Sequence, residues 1–156
     1  MTSAPTTLPI VQRTVSDEWI DYNGHLNEAY YVLLFSNAMD TVMTDVGLGP
    51  EYRESSHCSL FTLESHVRYL DQILPRSSVE IHNYIIAVDT KKVVSWHEMY
   101  VDGTLRATSE VLGLHVDVTA GKAIPFPEQV RTTLTAHLSP APEHSGRAVT
   151  LTRQNR

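Results

Sequence analysis

One helical stripe constrains the whole chain. Tyr31, Leu34, Phe35, Ala38, Val42 and Val46 recur at spacings of three or four, with Met39 beside them. That period puts an apolar face on a helix. Ser36, Asn37, Asp40 and Thr44 lie toward the other side. Asn27 is placed to cap the start, because its side chain can accept a first-turn N–H. Glu28 suits the positive end of the helix dipole. Gly47 and Gly49-Pro50 end the run. At about 19 residues and ~1.5 Å each, this helix is ~28 Å long. A stripe that wide needs a sheet to cover it.

After the helix the period drops to two. Ser59 to Leu70 alternates, with Phe61, Leu63, Val67 and Tyr69 on one face and Thr62, Glu64, His66 and Arg68 on the other. That is the pattern of a half-buried strand. Val79 to Val88, Val93 to Val101 and Thr104 to Val118 give further runs. Asp102-Gly103 between two of them is a two-residue hairpin signal. Gly113 inside the last marks a bulge or a close approach. A strand over Leu8 to Val15 precedes the helix, and a short helix from Glu128 to Leu138 follows, with Pro127 at a tolerated first position. The order predicts an α+β fold: an antiparallel five-stranded sheet wrapped around one long central helix. Residues 1–138 are expected to form one domain. Residues 139–156 carry Pro140, Pro142 and Gly146 with no periodicity and read as a flexible tail.

Bulk properties narrow the class of function. The net charge is −6 over 156 residues, with Lys and Arg scattered. That argues against nucleic acid or an anionic membrane as partner. One cysteine, Cys58, rules out an intrachain disulfide framework and fits a reducing, cytoplasmic compartment. No basic start leads into an apolar run, and no stretch reaches membrane-spanning length, so neither a leader nor a span is expected. The eight histidines stand singly, without the paired spacing of a metal site. No metal and no cofactor are expected.

The stretch from Trp19 to Tyr30 is the place for chemistry. It gathers a carboxylate, amides, an imidazole, a glycine and aromatics just before the helix. Asp21, Gly24, His25 and Asn27 stand as Asp-x-x-Gly-His-x-Asn, with Tyr30 in the helix that follows. With the element order, this resembles the hotdog-fold acyl-CoA thioesterases of the 4-hydroxybenzoyl-CoA thioesterase type. The resemblance runs on through Val67-Arg68-Tyr69-Leu70, the Asp102-Gly103 hairpin and Gly121 to Glu128, covering residues 8–138. Glu18 to Val32 is similar to the carnitine-catabolism branch. That branch comprises the betainyl-CoA thioesterases and the thioesterase domains fused to some carnitine dehydrogenases.

The resemblance implies hydrolysis of a small acyl-CoA thioester, betainyl-CoA to glycine betaine and CoA, with CoA entering as part of the substrate. Asp21 maps onto the family's catalytic aspartate. It can act as general base on water or attack directly to give a mixed anhydride. On its own, an aspartate before Asn-Gly is a turn residue. Backbone N–H groups at Gly24 and His25 are candidate oxyanion donors near the helix start. The His25 ring can donate to substrate or to Asp21, and Asn27 can orient the water besides capping. A trimethylammonium head offers no N–H, so it calls for aromatic faces and a carboxylate. Trp19, Tyr30 and Glu64 are the candidates for that role. Arg76, Lys91 and Lys92 lie on turns, as solvated cations or as CoA phosphate contacts.

Two competing readings keep the fold or the ligand. One is a hotdog enoyl-CoA hydratase or dehydratase, against which the Asp-x-x-Gly-His-x-Asn pattern counts. The other is a non-catalytic acyl-CoA sensor, which calls for an added DNA-binding or partner module. Hotdog sheets pair edge to edge, so a homodimer or homotetramer is expected, with sites at the dimer interface.

Overall fold

A computed structural model describes residues 7–146. Residues 147–156 of the anticipated tail lie outside the described residues. The helical stripe becomes α1, Glu28–Asp45. Asn27 caps it, its side-chain oxygen accepting the Ala29 N–H at 3.0 Å. Tyr31, Leu34, Phe35, Ala38, Val42 and Met43 are buried along one face, as the spacing requires. The chain then forms a short second helix, α2, Pro50–Ser56. The sequence reading has only a stop there. Pro50 occupies a tolerated first position, but seven residues with one large apolar side chain, Tyr52, carry no periodic signal.

The sheet is antiparallel throughout. Its strands are β1 (Val11–Thr14), β2 (Cys58–Tyr69), β3 (Ser78–Val88), β4 (Lys92–Val101) and β5 (Thr104–Asp117). They run in the order β1-β3-β4-β5-β2. A sixth strand, β6 (Lys122–Ala123), adds two residues beside β5 and is too short to show alternation. The last helix, α3, spans Glu128–Ala136. Beyond it Ser139 donates its N–H to the Ile85 carbonyl at 2.8 Å, and the Gly146 N–H reaches the Glu110 carboxylate. Among the described residues, no helix is long and apolar enough to cross a membrane.

One face of the sheet packs on α1. Val79, Ile81 and Ile85 of β3 and Val93, Met99 and Val101 of β4 are buried there with Leu34, Phe35 and Val42. Burial of such side chains contributes ~1.5–3 kcal/mol each. A polar chain crosses this core. Asn83 donates Nδ2–H to the Pro9 carbonyl at 2.7 Å, which leaves its Oδ1 to accept from His97 Nδ1 at 2.7 Å. His97 Nε2 then accepts from the Ser95 hydroxyl at 2.9 Å. Burial drives the His97 pKa down to about 4, so the imidazole is neutral.

Two turn expectations hold in detail. Asp102 and Gly103 both have positive φ and join β4 to β5 in a two-residue hairpin. Of the two alternatives for Gly113, the close approach is the one found at the residue itself, the bulge lying in the strand opposite. Gly113 faces the β2 bulge between Thr62 and Glu64, and a Cβ there would sit 2.7 Å from Leu60 Cδ2. The bulge also alters the β2 alternation. Val67 packs against the core, but Phe61, Leu63 and Tyr69 are 49%, 53% and 46% exposed. β2 is an outer strand of the sheet, opposite the shorter β1, so these side chains stand on an open edge.

Candidate active site

The Asp21 loop is a closed hairpin. Ile20 and Leu26 form an antiparallel bridge. Inside it, the Asp21 N–H donates to the His25 carbonyl at 3.1 Å, and the Gly24 N–H donates to the Asp21 carbonyl at 3.0 Å. Gly24 has φ +84°, a conformation that costs a side-chain-bearing residue ~1–2 kcal/mol. The sequence Asp-Tyr-Asn-Gly builds this turn directly. The loop is then tied at both sides. Asn27 donates its N–H to the Trp19 carbonyl at 3.0 Å, and Leu26 donates to the Ile73 carbonyl at 2.8 Å.

The turn aims the carboxylate. Asp21 Oδ1 accepts the Asn23 N–H at 2.8 Å, and its other oxygen has no hydrogen-bond partner among the described residues. The Gly24 N–H is spent inside the turn. The His25 N–H has no acceptor among the described residues and is the donor left over from the expected pair. Asp21 and His25 are both half-buried. A cleft of about 570 Å³ opens beside them. One wall is Asp21, Asn23, His25 and Asn27; Glu28 and Tyr31 of α1 continue it; Tyr69 to Gln72 close the far side.

The other expected residues fall elsewhere. Trp19 and Tyr30 stack on each other, centroids 5.4 Å apart at 16°, and pack against the core. They do not line this cleft. Glu64 pairs with His66 at 2.8 Å and lines a separate recess with Glu110 and Leu112. It stands five positions before Tyr69 on β2, roughly 17 Å along an extended strand. Arg76 is held by Asp17 at 3.1 Å on the surface.

The far wall is what sequence reading misses. Tyr31 and Tyr69 meet edge to face, centroids 5.1 Å apart at 87°. The Tyr31 hydroxyl donates to the Asp71 carbonyl at 3.3 Å, and the Tyr69 hydroxyl donates to the Glu28 carbonyl at 3.4 Å. Burial raises the pKa of both phenols. The Asp71 carboxylate pushes Tyr31 further, and Glu28 does the same to Tyr69. Asp71 itself is compensated by an ion pair with Arg106. Tyr31 and Tyr69 carry the ordinary signals of a helix stripe and a strand, and the Leu26–Ile73 bond, with the two phenol hydrogen bonds, brings the end of β2 to the loop.

This arrangement suits carbonyl chemistry: a carboxylate with one oxygen fixed and one open, a backbone donor beside it, and a helix start behind it. Known proteins similar to this chain identify its family. Residues 15–134 match the thioesterase-like superfamily. The betainyl-CoA thioesterase of Pseudomonas aeruginosa is 35% identical over 151 residues, which cover 92% of this chain and 95% of that protein. The L-carnitine dehydrogenase/betainyl-CoA thioesterase of Agrobacterium fabrum is 30% identical over 86% of this chain, which matches 29% of that longer protein. A Staphylococcus aureus protein solved in complex with CoA superposes with a TM-score of 0.88 at 26% identity, covering 96% of this chain and 98% of that one. The chain therefore belongs to the thioesterase-like superfamily, and it is an acyl-CoA thioesterase of the hotdog fold.

Proposed function

We propose that this thioesterase hydrolyses betainyl-CoA to glycine betaine and CoA, with Asp21 as general base. The observation that carries the mechanism is the held Asp21 carboxylate at the cleft, with one oxygen on the Asn23 N–H and the other without a hydrogen-bond partner among the described residues. The substrate follows the Pseudomonas aeruginosa relative, which aligns nearly end to end.

In this mechanism water approaches the thioester carbonyl and gives its proton to Asp21. The Asn27 Nδ2 holds that water, since its Oδ1 is already used by the cap. The His25 N–H, close to the start of α1, receives the developing oxyanion. The C–S bond then breaks, and the CoA thiolate takes up a proton. The ammonium one carbon from the carbonyl withdraws electrons and makes that carbon a ready target for water. Water is the only co-reactant, and no cofactor enters.

The reading includes a homodimer. β2 is an outer strand, and Phe61, Leu63, Tyr69 and Leu70 are exposed on it, with Val32 and Leu33 exposed on α1. An open apolar edge invites pairing with another strand. Pairing β2 to β2 would lay the Tyr69 end of each cleft beside the seam. The buried free thiol of Cys58 and a CoA substrate both fit the cytoplasm.

Release of CoA from betainyl-CoA, compared with short-chain and aromatic acyl-CoAs, tests the substrate. The expected outcome is turnover of betainyl-CoA above the others. Turnover of another thioester with betainyl-CoA ignored would discard the substrate and keep the enzyme class. Single turnover in ¹⁸O-water tests the route. The label is expected in the product carboxylate, and label in Asp21 would replace the general base by a nucleophile.

A further inference from the structure

The cleft beside Asp21 is acidic. Its lining carries the carboxylates of Asp21, Glu28 and Asp71 and, among the described residues, no lysine or arginine. CoA phosphates would be repelled there, so the cleft suits the acyl end of the substrate. Asp71 is already paired with Arg106. Glu28 has no ion-pair partner among the described residues, and its charge is felt at the Tyr69 phenol.

We infer that the Tyr69 ring and the Glu28 carboxylate form the seat that reads the positive charge of the acyl head. This rests on the thioesterase reading above and adds to it the groups that select a quaternary ammonium. Such a head has no N–H to donate. It is recognised by an aromatic face and by a carboxylate close enough to act through space. Tyr69 supplies the face: its ring is 46% exposed, steadied by Tyr31 at 87° and by its hydroxyl on the Glu28 carbonyl. Those contacts leave little rotational freedom to lose on binding. Glu28 stands on the first turn of α1, directly after the cap that closes the Asp21 loop. The ammonium of a betainyl group is two bonds from the carbonyl carbon, so its seat must share a cleft with the general base. Tyr69, Glu28 and Asp21 meet that condition. Trp19 and Tyr30 turn a face to each other instead, and Glu64 lies in another recess.

The test compares kcat/KM for betainyl-CoA with that for 3,3-dimethylbutanoyl-CoA, whose acyl group replaces the nitrogen by carbon at the same shape. The wild type is expected to prefer the cation. Tyr69→Leu and Glu28→Gln should each lower that preference on the order of tenfold. Tyr69→Phe, which keeps the ring, should hold it. If the wild type prefers the cation and both Tyr69→Leu and Glu28→Gln keep the full preference, the seat lies elsewhere and the thioesterase reading stands. Equal turnover of the two esters by the wild type would remove charge recognition altogether. If neither ester releases CoA, the substrate reading fails and takes the seat with it.

Discussion

Asn23 donates its backbone N–H to Asp21 Oδ1 at 2.8 Å, so the turn that bends the chain also holds its carboxylate. A turn aspartate and a catalytic aspartate are usually alternatives. Here one oxygen can serve each role, because Asp21 lines the cleft and its second oxygen has no hydrogen-bond partner among the described residues.

The glycines at the loop and in the sheet should fail in different ways. A Cβ at Gly24 meets nothing within 4 Å, but the backbone there has φ +84°. Gly24→Ala is expected to cost ~1–2 kcal/mol of strain, a fall in melting temperature of roughly 2–8 °C. A Cβ at Gly113 would sit 2.7 Å from Leu60 Cδ2. Gly113→Ala should cost ~1–3 kcal/mol by overpacking. Adding Leu60→Ala should recover part of the Gly113→Ala loss in thermal melts and none of the Gly24→Ala loss. Recovery in both, or in neither, would contradict this assignment.

His97 should make the fold sensitive to acid. Burial lowers its folded pKa to about 4 from 6.5. Between those values the unfolded chain binds the proton and the folded chain does not. Stability therefore rises with pH through that window. The contribution is complete above pH ~6.5 and is lost as pH falls toward ~4, for a total of ~3 kcal/mol. Urea unfolding of wild type and His97→Gln at about pH 7.5 and pH 4.5 reads the difference. The variant should be weaker at neutral pH and should lose less on acidification. An equal acid loss in both chains would remove His97 as its cause.

The sequence made the helix legible because six apolar residues from Tyr31 to Val46 keep one period. It made the loop legible because Asp-Tyr-Asn-Gly names its own turn. β2 misled for a physical reason. The bulge at Leu63 interrupts the alternation, and its outward apolar side chains answer to an edge, not to the core of this chain. The cleft was only half legible. Its near wall is local sequence, while Tyr69 to Gln72 are brought in by the Leu26 N–H on the Ile73 carbonyl. No spacing along the chain encodes that contact.

The open β2 edge predicts an oligomer that one charge can break. Leu63→Lys places an ammonium at a side chain 53% exposed on this outer strand. Such lysines are a common guard of free edges. Sedimentation velocity should show a dimer for the wild type and a monomer for Leu63→Lys, with CoA release reduced in the monomer. A variant that stays dimeric would place the seam on another surface.

Asp21→Asn tests the central claim most directly. Asparagine keeps an oxygen for the Asn23 N–H, so the turn and the melting temperature should persist. It cannot take a proton from water, so kcat for CoA release from betainyl-CoA should fall by ~10²–10⁴-fold. A variant that folds normally and releases CoA at the wild-type rate would contradict the assignment of Asp21 as general base.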